Sequence, residues 1–504
     1  MAQTDALITV NSEKQLFIDE KFIDESNGLA LTMNSPQQIP APLLVADRPW
    51  ERAICAYNTV LKEGDLFRLW YDVILSEGAS EIERGVAYAE SNDGLRWTKP
   101  NLNLIKFQES KANNLVAPPV PKAPCGEMEG ATILIDTNPA CPPEERYKLW
   151  TKIQHIPSGD AQRGMKNGLW TMYSKDGVHW NVYDSLVDVP HCDTQNVPFW
   201  DDRLQKYVGY GRSRVEMDGY RARAIGRIES DDFRNWSRME TVFQTEQIEQ
   251  RTPIPSHCRD RIGSYVDVYT NACMKYPFAQ DVYFMMPSFL YHWDCRDVSN
   301  EQRVTFPDTC DVRLLTSRNG IDWHQVGGRR PFLRLGMWGS LSSQMLYASP
   351  GVVRVGDELW SYYAGMNYNH SSQVDAAADA KGSGIFRAVS RLDGFISVDA
   401  PYEGGTLTTP PITFTGNSLT LNVDTSAGGI VRVEIQSVKG EALEGYALAD
   451  SDEHNGNSVR MPVRFRGTPD ISQFAGFPIR LHFQMYDCKL YAFQFVENDQ
   501  SLKA

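Results

Sequence analysis

Apolar residues in this chain gather in short runs rather than long stripes. "LFRLWYD" (66–72), "RYKLWTK" (146–152), "KYVGYGR" (206–212), "DVYFMMP" (281–287) and "ELWSYYAG" (358–365) are five such runs, rich in aromatic residues. Each is preceded, across a tight turn, by another: "AYNTVL", "ATILID", "NVPFW", "TNACMKY" and "SPGVVRV". Each is followed, after a variable gap, by a third: "GVAYAE", "GLWTMY", "AIGRIE", "VRLLT" and "IFRAV". Runs of this length and composition, bounded by Gly, Asp and Pro, predict β-strands. Helix-period patterns of useful length are nearly absent.

A seven-residue phrase closes each third run. It reads "SNDGLRW" at Ser91, "SKDGVHW" at Ser174, "SDDFRNW" at Ser230 and "SRNGIDW" at Ser317, with a worn copy, "SRLDGFI", at Ser390. The spacings of 83, 56, 87 and 73 residues are unequal, so a constant core carries variable insertions. The unit is strand, turn, strand, long loop, strand, phrase, strand. Five such four-stranded antiparallel units predict an all-β chain built on a five-bladed β-propeller. Asp-Gly makes the turn, and the closing Trp supplies an apolar plate between neighbouring blades, so the phrase is scaffold.

After Asp399 the pattern changes to alternation, in "SLTLNV", "VRVEIQ", "PIRLHFQM" and "LYAFQF". Period two predicts half-buried strands, and residues 404–497 are expected to form a C-terminal β-sandwich. The propeller is expected over 46–399, with segment 1–45 packing on it and helping to close it.

Composition narrows the classes. A chain of 504 residues exceeds one ordinary core, which fits a repeat array with a second domain. A formal charge of −14 without a basic run argues against a nucleic-acid or anionic-membrane partner. No run approaches the ~20 apolar residues of a spanning helix. Nine cysteines without CxxC or metal spacing, and a start lacking a signal-like pattern, predict a reduced, cytoplasmic protein. His191 and Cys192 would need two further ligands from distant blades, so no metal is expected there. GxSxG, P-loop, HExxH and dinucleotide motifs are absent, so no cofactor is expected, while a structural Ca²⁺ stays open. The oligomeric state is not specified.

Propeller geometry places the short turns and phrases on one face. The long loops and the starts of the first strands share the other, where function concentrates. Acids recur there: Asp47 and Glu51 in "DRPWE", Glu127 and Glu129 in "CGEMEG", Asp193 in "CDTQN" and Asp267 in "VDVYTN". The fifth unit has none. Cleaving a glycosidic bond needs one protonated and one ionised carboxyl, with aromatics to stack on sugar rings. Glu51, Glu129, Asp193 and Asp267 are therefore the candidate catalytic residues. Glu51 is preferred to Asp47 because Pro49 leaves Asp47 in the loop beside Arg48. Arg48, Trp50, Gln195, Arg212, Tyr269 and His370 are the expected contacts to a carbohydrate substrate. Three readings stay open. The first is an exo-acting glycoside hydrolase. The second is a phosphorylase or transglycosidase, with Arg212 and Arg214 holding an anionic acceptor. The third is a non-catalytic carbohydrate-binding propeller, which the acid-free fifth unit would suit.

"SDDFRNW" and its siblings resemble the Ser-x-Asp-Leu-x-x-Trp turns of the five-bladed glycoside hydrolases of families 32, 43 and 68. With "PPEERYKL", "DTQNV", "RPFLRLG" and "LYAFQF", the chain is similar to a bacterial family 32-like group in which a β-sandwich follows the propeller. By position, "DRPWE", "EMEG" and "CDTQN" stand where that family carries its three catalytic strings, none of which occurs here. The resemblance implies Glu51 (or Asp47) as nucleophile or base, Glu129 as stabilising carboxylate and Asp193 as acid.

Overall fold

The computed structural model describes residues 7–76, 84–116, 127–154, 166–189, 191–217, 220–246, 249, 265–292, 294–297, 302–305, 308–368, 370 and 382–497. Among these the protein is all-β, with short 3-10 turns and loops between strands. Three four-stranded antiparallel sheets follow in chain order. Sheet 1 contains Glu51–Glu63, Leu66–Leu75, Arg84–Ser91 and Leu115–Val116. Sheet 2 contains Glu127–Ile135, Tyr147–Gln154, Gly168–Ser174 and Asn181–Val187. Sheet 3 contains Val197–Asp201, Lys206–Met217, Tyr220–Ser230 and Glu240–Phe243.

Sheet 4 is shorter: Cys273–Lys275, Tyr283–Met285, Leu315–Ser317 and His324–Gln325. Ala272 lies at φ 40° and Pro287 has no amide to donate, so the ladder breaks at both. Beyond the breaks, Tyr265–Val268, Ser288–His292 and Thr309–Val312 join sheet 5. Sheet 5 is built on Met345–Ala348, Val353–Val355, Glu358–Met366 and Ser383–Arg391, with Gln37–Gln38 at its edge.

Neighbouring sheets share apolar cores. Trp70 of sheet 1 packs with Ile133 of sheet 2, and Trp150 of sheet 2 with Tyr207 of sheet 3. Val208 of sheet 3 packs with Tyr283 of sheet 4, Phe284 of sheet 4 with Tyr363 of sheet 5, and Trp360 of sheet 5 with Phe67 of sheet 1. The series returns to its start. A cavity of about 540 Å³ is lined by Thr59 of sheet 1, Ile133 of sheet 2, Val197 of sheet 3 and Cys273 of sheet 4, and by Val352 in the turn before Val353–Val355 of sheet 5, among others.

The repeated phrase makes the joints between sheets. Ser91 Oγ accepts the Gly94 amide at 2.8 Å, and Asp93 Oδ1 accepts the Arg96 amide at 2.8 Å. The pattern recurs at Ser174 with Asp176 and at Ser317 with Asn319. Gly177 shows why glycine is needed. It lies at φ 77°, and a Cβ there would sit 2.9 Å from the Trp70 ring of sheet 1. Trp70 Nε1 in turn donates to the Gly177 carbonyl at 2.8 Å. In the third copy Phe233 occupies this place at φ 64° and packs its ring on Trp150 of sheet 2. The closing tryptophans also cross between sheets, Trp236 to Trp150 and Trp323 to Tyr210. The phrase is scaffold.

Two expected boundaries shift. After the worn fifth phrase the chain does not return as a last strand of sheet 5. Ile396–Ala400 instead pairs with Cys488–Val496, so the C-terminal sheets begin before residue 404. Gln37–Gln38 covers the edge that Ser383–Arg391 would otherwise leave unpaired. Segment 1–45 also does more than pack on the repeats. Ile8–Asn11, Gln15–Leu16, Glu25–Asn27 and Ala30–Met33 all pair with later strands of the C-terminal sheets. The reason is apolar burial: Val10, Phe17 and Phe22 share one core with Val431, Phe483 and Phe493. Leu16, Ile18 and Met33 reach the core between sheets 4 and 5.

Candidate functional site

The acids expected to converge fall into two groups, and strand alternation separates them. Tyr71 and Asp72 are neighbours on the second strand of sheet 1, so their side chains leave opposite faces. Tyr71 lies in the core shared with sheet 5 and donates its hydroxyl to Glu51 Oε1 at 2.6 Å. Asp72 accepts the Gly130 amide of sheet 2 at 2.6 Å.

Glu51 is sealed. Its side chain is 0% exposed, and Oε2 accepts the Asp47 amide at 3.0 Å, the Arg48 amide at 3.2 Å and Lys99 Nζ at 2.6 Å. With Tyr71 that makes four donors, which fills the capacity of a carboxylate. The expectation that Glu51 extends towards a substrate is not met; it folds back under its own lead-in loop. Asp47 is exposed and pairs with Lys99 at 2.7 Å and Arg48 at 3.6 Å. Trp50 donates to Asn114 at 2.9 Å and packs against the core of sheets 1 and 5. Arg48 and Trp50 therefore accompany Glu51.

Glu129, Asp193 and Asp267 belong to a second, connected group. The strand carrying Glu129 touches the loop carrying Asp193: Gly130 lies at φ 71°, and a Cβ there would meet the Thr194 carbonyl at 2.3 Å. No residue but glycine fits between the two acids' backbones. Glu129 is bound by Arg84 and, at 3.4 Å, by Lys152. Asp193 accepts Arg212 Nη1 at 2.6 Å. Arg212 also donates to the Tyr269 carbonyl at 3.4 Å, and its guanidinium lies 4.6 Å from the centre of the Tyr269 ring. Arg223 lies over the same ring at 5.1 Å and binds Asp267. Asp267 also accepts His292 Nε2 at 2.9 Å, and His370 Nε2 meets the Tyr269 hydroxyl at 3.0 Å.

Electrostatics divides the roles. Burial would raise the Asp193 carboxyl, but Arg212 and Lys152 outweigh it and hold it below the usual range. Its side chain is 46% exposed, so it is an ionised carboxylate open to solvent. This corrects the assignment of Asp193 as the proton donor, since a general acid must stay protonated at working pH. Asp267 is likewise held low: burial raises it, but His292 and Arg223 prevail, and its side chain is only 1% exposed. It is a counter-ion for Arg223, not an open acid. Burial pushes Asp72 up to about 8 despite the Gly130 hydrogen bond. His370 is driven down to about 4 by burial and by Arg223, so it is neutral. Gln195, expected to touch substrate, is buried and donates to the carbonyls of Asn58 at 2.9 Å and Ala131 at 3.2 Å, tying sheets 1 and 2 to sheet 3.

Arg84, Lys152 and Arg223 do not stand out in the sequence. Arg223 sits directly opposite Arg214 in the ladder between Lys206–Met217 and Tyr220–Ser230. Among the described residues no group of three or more His, Cys, Asp or Glu is placed to hold a metal ion. His191 makes a backbone bridge to Arg212.

No family model matches the chain. A curated relative, the uncharacterized protein MT1551 of Mycobacterium tuberculosis (strain CDC 1551 / Oshkosh), is 25% identical over 172 residues, 31% of this chain. The chain spans about half the length of the curated relatives it matches, 48% in this case. Among solved structures it is similar to the BT0996 RGII complex, at 13% identity and TM-score 0.45, over 72% of this chain and 92% of the other. It is also similar to an N-acetylgalactosamine deacetylase from F. plautii, at 15% identity and TM-score 0.42, over 72% and 95%. These likenesses identify neither reaction nor substrate.

Proposed function

We propose that the five sheets, with their closed series of shared cores, are the blades of a five-bladed β-propeller, and that the protein cleaves glycosidic bonds at the face where the first strands begin. The observation that carries the enzymatic reading is Asp193: an exposed, ionised carboxylate fixed by a fully buried arginine beside an aromatic ring. Fixing an ionised carboxylate in that way suits attack on an anomeric carbon or activation of a water. Glu129, near the start of the adjoining strand Glu127–Ile135 and bound by Arg84 and Lys152, is the stabilising carboxylate beside it. Tyr269 offers its ring to a sugar face, oriented by Arg212, Arg223 and neutral His370.

Asp193→Asn and Glu129→Gln test this. On a panel of aryl glycosides and oligosaccharides, each should lose about two or more orders of magnitude in kcat per folded molecule with KM close to the parent. Because each carboxylate is the partner of a buried or partly buried cation, folding is read separately and some loss of melting temperature is expected. Full turnover by Asp193→Asn would remove the reading. Binding of sugars without turnover by the parent would favour a carbohydrate-binding protein. Turnover that requires phosphate would favour a phosphorylase, for which the surrounding arginines supply an anion site.

A further inference from the structure

The face around Tyr269 holds more cations than its acids neutralise, in a chain whose overall charge is −14. Arg214 and Arg223 are directly opposed across the antiparallel ladder between Lys206–Met217 and Tyr220–Ser230. Like charges in that relation destabilise a sheet unless an anion lies between them. Arg223 has Asp267, and Arg212 has Asp193. Arg214 has no carboxylate in ion-pair range among the described residues. Its Nη1 donates to the Arg221 carbonyl at 3.2 Å, and its Nε is buried without a partner. Burial, then Arg223 and Arg212, disfavour its charge and outweigh the attraction of the more distant Asp267 and Asp193. The guanidinium is thus partly buried beside two other arginines and, among the described residues, has no carboxylate in direct contact.

We propose that Arg214, with Arg223, binds a carboxylate carried by the substrate sugar, so that the substrate class is a glycan containing a uronic acid. This rests on reading Asp193 as the reacting carboxylate. Arg212 and Arg214 are two residues apart on one strand face, about 6.5–7 Å along the strand. With the reacting carbon at Asp193, which Arg212 holds, an anion at Arg214 is displaced from the point of attack. A ring substituent meets that displacement; an attacking phosphate does not. A guanidinium also matches the planar carboxylate in two parallel hydrogen bonds.

The test is calorimetric titration of the whole protein with D-glucuronate and D-galacturonate, against D-glucose, D-galactose and inorganic phosphate. At least one uronate should bind about tenfold or more tightly than its neutral counterpart, as expected for a charge-assisted pair. Arg214→Gln should erase the preference at unchanged melting temperature, and Arg214→Lys should retain part of it. Equal binding of uronates and neutral sugars overturns the proposal, a result that needs no variant to fold. Arg214-dependent phosphate binding tighter than that of either uronate also overturns it, by assigning the site to a free anion. A uronate preference that persists while no glycoside is turned over supports the ligand assignment and refutes only the enzymatic reading.

Discussion

Replacing Glu51 by glutamine should unfold the lead-in loop without touching the reaction. The carboxylate is 0% exposed and Lys99, which it binds at 2.6 Å, is 4% exposed. Glutamine keeps the shape but brings an amide donor to a site where every neighbour already donates. Lys99 would then be left buried with the Val45 carbonyl, which carries no charge, and with Asp47, which is half exposed and contributes little attraction through water. Removing one member of a buried ion pair costs about 3–5 kcal/mol. For a unit of a few hundred residues that is a melting-temperature drop of roughly 4–8 °C. The assay is thermal and urea unfolding of Glu51→Gln beside the double variant Glu51→Gln/Lys99→Met. The double variant should recover at least half of the loss, because it removes the stranded charge. Turnover per folded molecule should stay within about threefold of the parent, since an interaction confined to the scaffold lowers neither kcat nor kcat/KM. A stability change below about 1 kcal/mol, or a loss of turnover by orders of magnitude at full stability, would refute the argument.

Other consequences are direct. Trp180→Ala, which empties a plate from the core of sheets 1 and 2, should cost about 3–5 kcal/mol in urea unfolding and leave sugar affinity unchanged. Because Arg212 holds the Asp193 carboxyl low, the acidic limb of the kcat profile should lie below the usual carboxylate range, and Arg212→Gln should move it to higher pH. A limb that stays in place would show that another group controls it. Asp267 is held below its ordinary value, so its stabilisation is present above that value and lost as pH falls through the lowered one. His292 is raised against burial by Asp267 and Asp308, so its stabilisation is full below about 6.5 and lost as pH rises through the raised value. Stability in urea should therefore peak at mildly acidic pH, between the two, and Asp267→Asn should flatten the peak.

Strand content, the repeat and the role of its phrase were legible in the sequence because they rest on local rules. Alternation, Asp-Gly turns and closing tryptophans act over a few residues, and each unit repeats the instruction. The acids of the second group were also visible, since they stand at equivalent places before the first strands. What sequence could not decide was the direction of a side chain whose partners are remote. Glu51 and Glu129 look alike as strand-start acids, but Tyr71 and Lys99 draw one into the scaffold, while Arg84 and Lys152 hold the other on the face of the site. Asp193 reads as a proton donor only while the position of Arg212 is unknown, because a carboxyl's proton affinity depends on charges that folding brings near. The same holds for the amino-terminal strands. That segment 1–45 packs on the rest of the chain could be expected, but which sheets its strands complete depended on the edges left open by residues some 350–490 positions further along the chain, and those edges exist only once the sheets have formed.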